Sequence, residues 1–334
     1  MRKWYRRIVY TASISLVLLS VTFAILTWLW RDRAPLTDLT WPVSEPAAEV
    51  DGGVTVTWLG ITTLLFDDGE TQILTDGTFT RLRLQDFYLL RPVRSDIANI
   101  NYALDEFRIN RLAAIIPVHS HFDHAMDVGN VANRTSAVVL GSESTANIAR
   151  GANVPVDQYQ ILADGESRHF GNFTVTLIES SHVAVGPGAG DLMSGIIDTP
   201  LVQPARVPTW RGGAIYSILV SHPRGNTLVQ GSAGFSEALL ADREVDVVML
   251  SVAGLAALGQ DYARDYWRET VRASGAKRIY PIHFDDFTQP FGEVLLFPNV
   301  ADNVVKAASW IDELAARDGV SVTRPRFGVP VFLY

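Results

Sequence analysis

The sequence predicts an α+β protein, an αβ/βα four-layer sandwich of two mixed β-sheets with outer helices, preceded by one transmembrane helix. Three observations point there. Residues 8–30 are 23 positions without a charge. After residue 53 come short β-patterned runs, a helix and a histidine-rich loop, and then a second series of strands and helices. The loop, His119-Ser120-His121-Phe122-Asp123-His124, packs four potential metal ligands into six positions.

The uncharged run would span roughly 35 Å as a helix, enough to cross a bilayer core. Trp4 and Tyr5 stand at one end, Trp28 and Trp30 at the other, where interfacial aromatics belong. Arg2, Lys3, Arg6 and Arg7 precede it, against Arg31 and Arg33 after it. That asymmetry favours a cytoplasmic N-terminus, a single pass through the inner membrane and a domain on its far side. A cleaved signal peptide is the competing reading, but its apolar core would be shorter and end in small residues. Here the run ends in Trp-Leu-Trp-Arg-Asp-Arg.

Residues 31–50 hold Pro35, Pro42 and Pro46 with little apolar periodicity and read as a linker. The boundaries are therefore 1–30 for stub and anchor, 31–50 for the linker and 51–334 for the domain. Cysteine is absent, so neither disulfides nor thiolate metal sites are available. The chain's formal charge of −8 becomes −12 without the four cations ahead of the anchor. No block of basic residues follows residue 31, which argues against a nucleic-acid partner.

Residues 54–60, 62–66 and 71–75 alternate as strands around an Asp67-Asp68-Gly69 turn. Residues 79–90 hold an apolar and aromatic stretch, suited to the core first, and also to walling a cleft or touching the membrane. Ile97, Ile100, Leu104 and Phe107 have helical spacing. Residues 112–118 read as a buried strand that delivers the histidine-rich loop. A strand at 137–141 and a helix at 144–149 make a βα unit. The strand at 173–178 leads to His182, and His169 beside a turn reads as structural.

Residues 183–213, rich in Gly and Pro, suggest a mobile loop over the site. Strands at 214–220 and 227–230 flank a hairpin tip that would place His222 in solvent. Strands follow at 247–251 and 278–282, with helices at 261–274 and 304–314 and an apolar close at 329–333.

Three of the chain's 7 histidines fall within the six-residue loop, and imidazole with carboxylate suits zinc, with iron or manganese less exclusively. The HxHxDH pattern resembles the signature of the metallo-β-lactamase fold superfamily. The opening, Trp58-Leu59-Gly60-Ile61-Thr62-Thr63 and then Leu74-Thr75-Asp76-Gly77, is similar to the branch of ascorbate-phosphate lactonases and N-acyl-phosphatidylethanolamine phospholipases. That branch commonly has His where this chain has Ile61. Most of the superfamily has a metal-bridging Asp where this chain has Ser232. The resemblance covers residues 53–334.

It implies one metal on His119, His121 and His182 and a second on Asp123, His124 and His283. Asp76 would support a ligand histidine from behind, and Ser232 would stand beside the site as a far weaker ligand than the carboxylate it replaces. One or two zinc ions are expected. A bound metal would bring the pKa of a coordinated water to about 7, for attack on a carbonyl carbon or phosphorus. Asp123 would orient that nucleophile. The expected activity is hydrolysis of a phosphodiester, that of a phospholipid included, with hydrolysis of a lactone, lactam or other acyl bond as the alternative. A tethered, non-catalytic binding protein is the third reading. The expected partners are a small-molecule or lipid substrate and, through the anchor, the membrane.

Overall fold

The computed structural model describes residues 2–47, 52–184, 193–237, 240 and 243–334. The Gly186-Pro187-Gly188-Ala189-Gly190 stretch of the expected loop lies outside the described residues.

Arg2–Arg31 forms one helix, long and apolar enough to cross a membrane. Thr11, Ser20 and Thr27 donate to carbonyls one turn back, at 2.9, 2.9 and 2.8 Å. Their hydroxyls are thus satisfied within the apolar shaft, as hydrocarbon surroundings require.

The strands follow in chain order. The first series is β1 (Thr55–Trp58), β2 (Leu64–Asp67), β3 (Gln72–Thr75), β4 (Pro92–Val93), β5 (Leu112–Ile116), β6 (Val138–Gly141) and β7 (Tyr159–Ile161). The second is β8 (Ser167–Phe170), β9 (Phe173–Glu179), β10 (Ala205–Arg206), β11 (Tyr216–His222), β12 (Gly225–Gln230), β13 (Val247–Ser251), β14 (Arg278–Ile282), β15 (Ser321–Val322) and β16 (Pro330–Phe332).

One seven-stranded sheet has the order β16-β1-β2-β3-β5-β6-β7, the other β15-β14-β13-β12-β11-β9-β8. Each is antiparallel at one end and parallel at the other. This is the expected sandwich.

Side-chain alternation sorts the first sheet onto two cores. Leu64, Phe66, Ile73, Ala114, Ile116 and Leu140 join the core shared with Val175, Leu177, Ile218, Leu228 and Met249 of the second sheet. Leu65, Leu74, Ile115 and Val139 turn the other way, onto Ile100, Ala103, Val131 and Ile148 of the outer helices. The sheet is therefore buried on both faces, which is why its strands read as nearly continuous apolar runs.

The topology also aims six loops at one place. Ile61, Asp76, His119, His182, Ser232 and His283 each follow the carboxyl end of a strand by no more than three residues (β1, β3, β5, β9, β12 and β14). These strands run in the same sense within their sheets, so the six residues gather along one edge of the sandwich. That edge is where open α/β sheets place their ligands.

Three expectations need correction. The stretch read as a linker is partly core: Leu39 and Trp41 are buried, and Trp41 packs edge-on to Phe284 at 6.4 Å. Ser44 N donates to Arg324 O at 2.9 Å and Ala47 N to Pro330 O at 2.8 Å. An irregular segment anchored by isolated apolar residues has no period to read.

His222 is not in solvent. Its ring lies 5.2 Å from that of Phe173 and stacks on Tyr334 at 6.5 Å, with Nε2 3.6 Å from Asp68. The third correction concerns residues 79–90, which divide. Phe79 and Leu82 are core, whereas Tyr88, Leu89 and Leu90 face outward.

Candidate metal centre

His119 and His121 leave the end of β5, and His121 then caps the short helix Phe122–Ala125 that carries Asp123 and His124. Two residues on one turn and two before it thus share one cavity. His119 Nε2 stands 2.9 Å from His121 Nδ1. His121 Nε2 lies 3.1 Å from the Met193 carbonyl, and His182 Nδ1 2.7 Å from that of Val183. Each ring donates to its carbonyl, which leaves the other nitrogen an unprotonated acceptor on the cavity side. Donor atoms of His119, His121 and His182 all lie within 4.8 Å of one another, a spacing that could hold a metal ion.

Asp123, His124 and His283 form a second such group, again within 4.8 Å. Asp123 Oδ2 is 3.4 Å from His124 Nε2 and 3.7 Å from His283 Nε2. The other nitrogen of His124 is held from behind: Nδ1 lies 2.8 Å from Asp76 Oδ2. Thr62 donates its hydroxyl to the same carboxylate, and the Val118 amide donates to Asp76 Oδ1 at 2.9 Å. Asp76 thus stands behind His124, on the side away from Asp123, and fixes which ring nitrogen faces inward.

Burial, reinforced by the neighbouring imidazoles, pushes His119 well below its ordinary value, and burial with His124 takes His283 to about 3. Burial likewise takes His121 to about 4 and lowers His182. These rings are neutral at pH 7, with lone pairs free for a cation. Burial would raise Asp123, but His124, His283 and His121 outweigh it and hold the carboxylate ionised. His124 goes the other way: burial lowers it, yet Asp123 and Asp76 prevail and raise it. That basicity makes His124 a strong donor once a metal replaces its proton. Imidazole lone pairs beside an ionised carboxylate are a donor set that fits a divalent metal.

Ser232 does not reach toward both groups as a bridging carboxylate would. Its hydroxyl accepts the Val183 amide at 2.9 Å, so it ties down the loop carrying His182. Gly234 lets that loop come close: a Cβ there would meet the Ser181 carbonyl oxygen at 2.0 Å. Ile61 supports the other side. Its amide donates to Asp285 Oδ1 at 2.9 Å, and its carbonyl accepts the His283 amide and Trp58 Nε1, each at 3.0 Å. Asp286 instead pairs with Arg33 at 2.9 Å, away from the metal donors.

The cavity above the donors measures about 700 Å³. Its walls are chiefly apolar: Phe122, Val183, Met193, Ile215, Phe287 and Phe297. Sequence reasoning missed most of these, and also Ser251 and Asp302, which add polar groups to the wall. Ser251 Oγ and Asp302 Oδ1 are buried without a partner among the described residues. Burial pushes Asp302 up to about 6, against the Gly254 amide that donates to Oδ2 at 2.7 Å. Only Thr62 carried a signal, since it falls inside the Trp58–Thr63 motif.

A two-sheet sandwich with histidines and an aspartate gathered at its strand ends defines a metal-binding hydrolase fold. The beta-lactamase superfamily domain matches residues 55–283, and the chain belongs to that family, with its metallo-β-lactamase fold. A possible metal-dependent hydrolase from Veillonella parvula DSM 2008 is similar in structure, with TM-score 0.52 and 15% identity over 84% of this chain and 100% of that one. CmlA, a diiron β-hydroxylase from Streptomyces venezuelae, has TM-score 0.53 and 13% identity over 86% of this chain and 55% of that one. At these identities the likeness is one of fold. Exodeoxyribonuclease YycJ of Bacillus anthracis is 32% identical over 84 residues, 25% of this chain and 32% of that protein. The matched stretch thus spans about a third of that relative's length.

Proposed function

We propose that the chain is a membrane-anchored, metal-dependent hydrolase acting on a phosphodiester, most simply that of a phospholipid. The observation that carries this is the pairing of six metal donors with an apolar cavity of about 700 Å³. His119, His121 and His182 would hold one ion, and Asp123, His124 and His283 the other. When bound, the metals supply a Lewis acid and water that ionises near neutral pH. Zinc suits the donors best, and iron would suit the same set.

The chain's own residues do the rest. Asp123, ionised, accepts a hydrogen bond from the attacking water and orients it. Asp76 and Thr62 keep His124 in one tautomer and one rotamer. Phe122, Phe287, Phe297 and Val183 take the apolar part of the substrate and exclude bulk water, which strengthens every charge interaction within. Ser232 accepts the Val183 amide and so holds the loop that carries His182.

The N-terminal cations, against Arg31 alone once Arg33 is paired, support a domain outside the inner membrane. The Bacillus anthracis relative is named an exodeoxyribonuclease, which keeps the phosphodiester bond in view. The charge of −12 beyond the N-terminal cations turns the reading from DNA toward a lipid.

The test is to purify the full chain in detergent and measure zinc, iron and manganese. The same protein is then offered bis(p-nitrophenyl) phosphate, a fluorogenic phospholipid, a lactone and a β-lactam, with His121→Ala as control. Phosphodiester turnover lost in the variant supports the reading. Acyl turnover alone would replace it with the lactone or lactam alternative. A metal-free, inactive protein that stays so after metal is supplied would leave a binding scaffold.

A further inference from the structure

The end of the N-terminal helix is docked on the domain. The Asp32 carbonyl accepts the Asn299 amide at 2.8 Å, and Arg33 reaches Asp286 at 2.9 Å and the Leu296 carbonyl at 3.2 Å. The Trp30 ring meets Tyr88 edge-on at 6.4 Å. Tyr88 ends the short helix Leu84–Tyr88, and the chain turns back at Leu90 with φ +48°.

The tip of that turn is apolar and bare: Leu89 is 60% exposed and Leu90 46%. It is also basic at its base. Arg81 turns inward onto the Thr78 and Leu59 carbonyls, which leaves Arg83, Arg91 and Arg94 around the turn with one aspartate, Asp86, in a domain that is strongly acidic elsewhere. Arg83 and Arg91 share Asp86, at 2.8 and 3.6 Å, and remain mostly exposed. Leu295 and Val300 are exposed on the loop that docks Asp32 and Arg33, and the same loop sends Phe297 and Ala301 into the cavity.

We propose that the Tyr88-Leu89-Leu90 tip, with Leu295 and Val300, is a second membrane contact that seats the cavity's rim on an anionic phospholipid surface. The inference rests on reading the N-terminal helix as an anchor. If Trp30 lies at the headgroup level, a tip in ring contact with it stands within about one helix diameter, roughly 10 Å, of that level. Apolar side chains flanked by arginines are the composition that such an interface takes up, the leucines entering the acyl boundary and the guanidinium groups staying with lipid phosphates. The apolar walls of the cavity then continue toward the bilayer, so the substrate class deepens to a lipid withdrawn from it rather than a soluble ester.

The chain has no cysteine, so one introduced cysteine labels one place. The full chain is reconstituted into phosphatidylglycerol–phosphatidylcholine vesicles carrying a quencher on the acyl chain. Leu89→Cys, Val17→Cys within the helix and Val156→Cys, exposed beside β7, are labelled in turn with an environment-sensitive fluorophore. The expected result is loss of fluorescence at 89 approaching that at 17, with little loss at 156. Loss at 17 with none at 89 overturns the second contact and leaves the anchor standing. No loss at 17 overturns the anchor reading and the contact with it.

Discussion

Asp76→Asn should weaken one metal of the pair and spare the other. The carboxylate holds His124 Nδ1 at 2.8 Å through Oδ2 and the Val118 amide at 2.9 Å through Oδ1. An asparagine offers one acceptor oxygen and one NH2. Whichever way it turns, either the His124 ring or the Val118 amide faces a donor. An orphaned buried donor costs about 1–3 kcal/mol, so the metal-free protein should lose stability on that scale. Loss of the carboxylate also makes His124 a weaker base. Removing such a partner typically lowers metal affinity about 10–100-fold, or about 1.4–2.7 kcal/mol. The assay is a zinc titration of chelator-stripped full chain against a competing chromophoric chelator. The step that belongs to Asp123, His124 and His283 should shift by that factor. The step that belongs to His119, His121 and His182 should stay, since none of those rings touches Asp76. Equal weakening of both steps would mean general collapse of the site, and no shift in either would show that Asp76 does not govern His124. Either result refutes the reasoning.

Other perturbations test the neighbouring claims. Gly234→Ala should lower the melting temperature and the occupancy of the His182 group together, because its Cβ would sit 2.0 Å from the Ser181 carbonyl oxygen and 2.6 Å from the His182 carbonyl carbon. Such overpacking costs about 1–3 kcal/mol, readable by calorimetry and metal analysis. Trp41→Ala should cost about 3–5 kcal/mol in urea unfolding, as for other buried tryptophans, and a chain starting at Ala47 should lose as much. Parental stability in both would restore the linker. Asp302→Asn should remove a pH dependence. With a folded pKa of about 6 against an ordinary 3.8, the folded state holds the proton more tightly. Stability then falls as pH rises from about 4 to about 6, by at most about 3 kcal/mol, and levels off above. Metal-free parent and variant unfolded across that range should diverge by this slope, and parallel curves would refute it.

What could be read from the chain alone follows from where its order is local. The His119–His124 cluster was legible because its donors are neighbours in sequence and leave a strand. His182 and His283 were legible because each ends an apolar run. The helix Ile97–Glu106 shows its period, and its Asp96 cap accepts from Ala98 and Asn99. Trp41, Phe297 and Asp302 sit on aperiodic segments, and their burial depends on partners far away in sequence. His222 was misplaced for the same reason. A hairpin tip reads as exposed until Tyr334, more than a hundred residues on, covers it. The lone tryptophan in a proline-rich stretch was the one available sign that residues 31–47 are more than a tether.

The two departures from the expected pattern, Ile61 and Ser232, bear differently on the two donor groups. Ser232 removes a carboxylate that would tie the ions together and spends its hydroxyl on the His182 loop. The group of Asp123, His124 and His283 must then be held by its own surroundings. The backbone there is unusual in a way that fits this demand. Ile61, Asp76 and His283 all take left-handed φ values, +53°, +52° and +57°, a region costly for side chains and most of all for a β-branched one. Conformations of this kind cost on the order of 1–3 kcal/mol each and persist only where surrounding contacts over-determine them. Here the contacts are named: Asp285 on the Ile61 amide, the Ile61 carbonyl on the His283 amide, and Asp76 on Val118 and His124. Strain held by that many bonds is a rigid seat, and a rigid seat limits the reorganisation a metal must drive on binding. A chain that lacks the bridge can therefore keep Asp123, His124 and His283 poised for an ion through preorganisation, provided Asp285 and Asp76 stay in place.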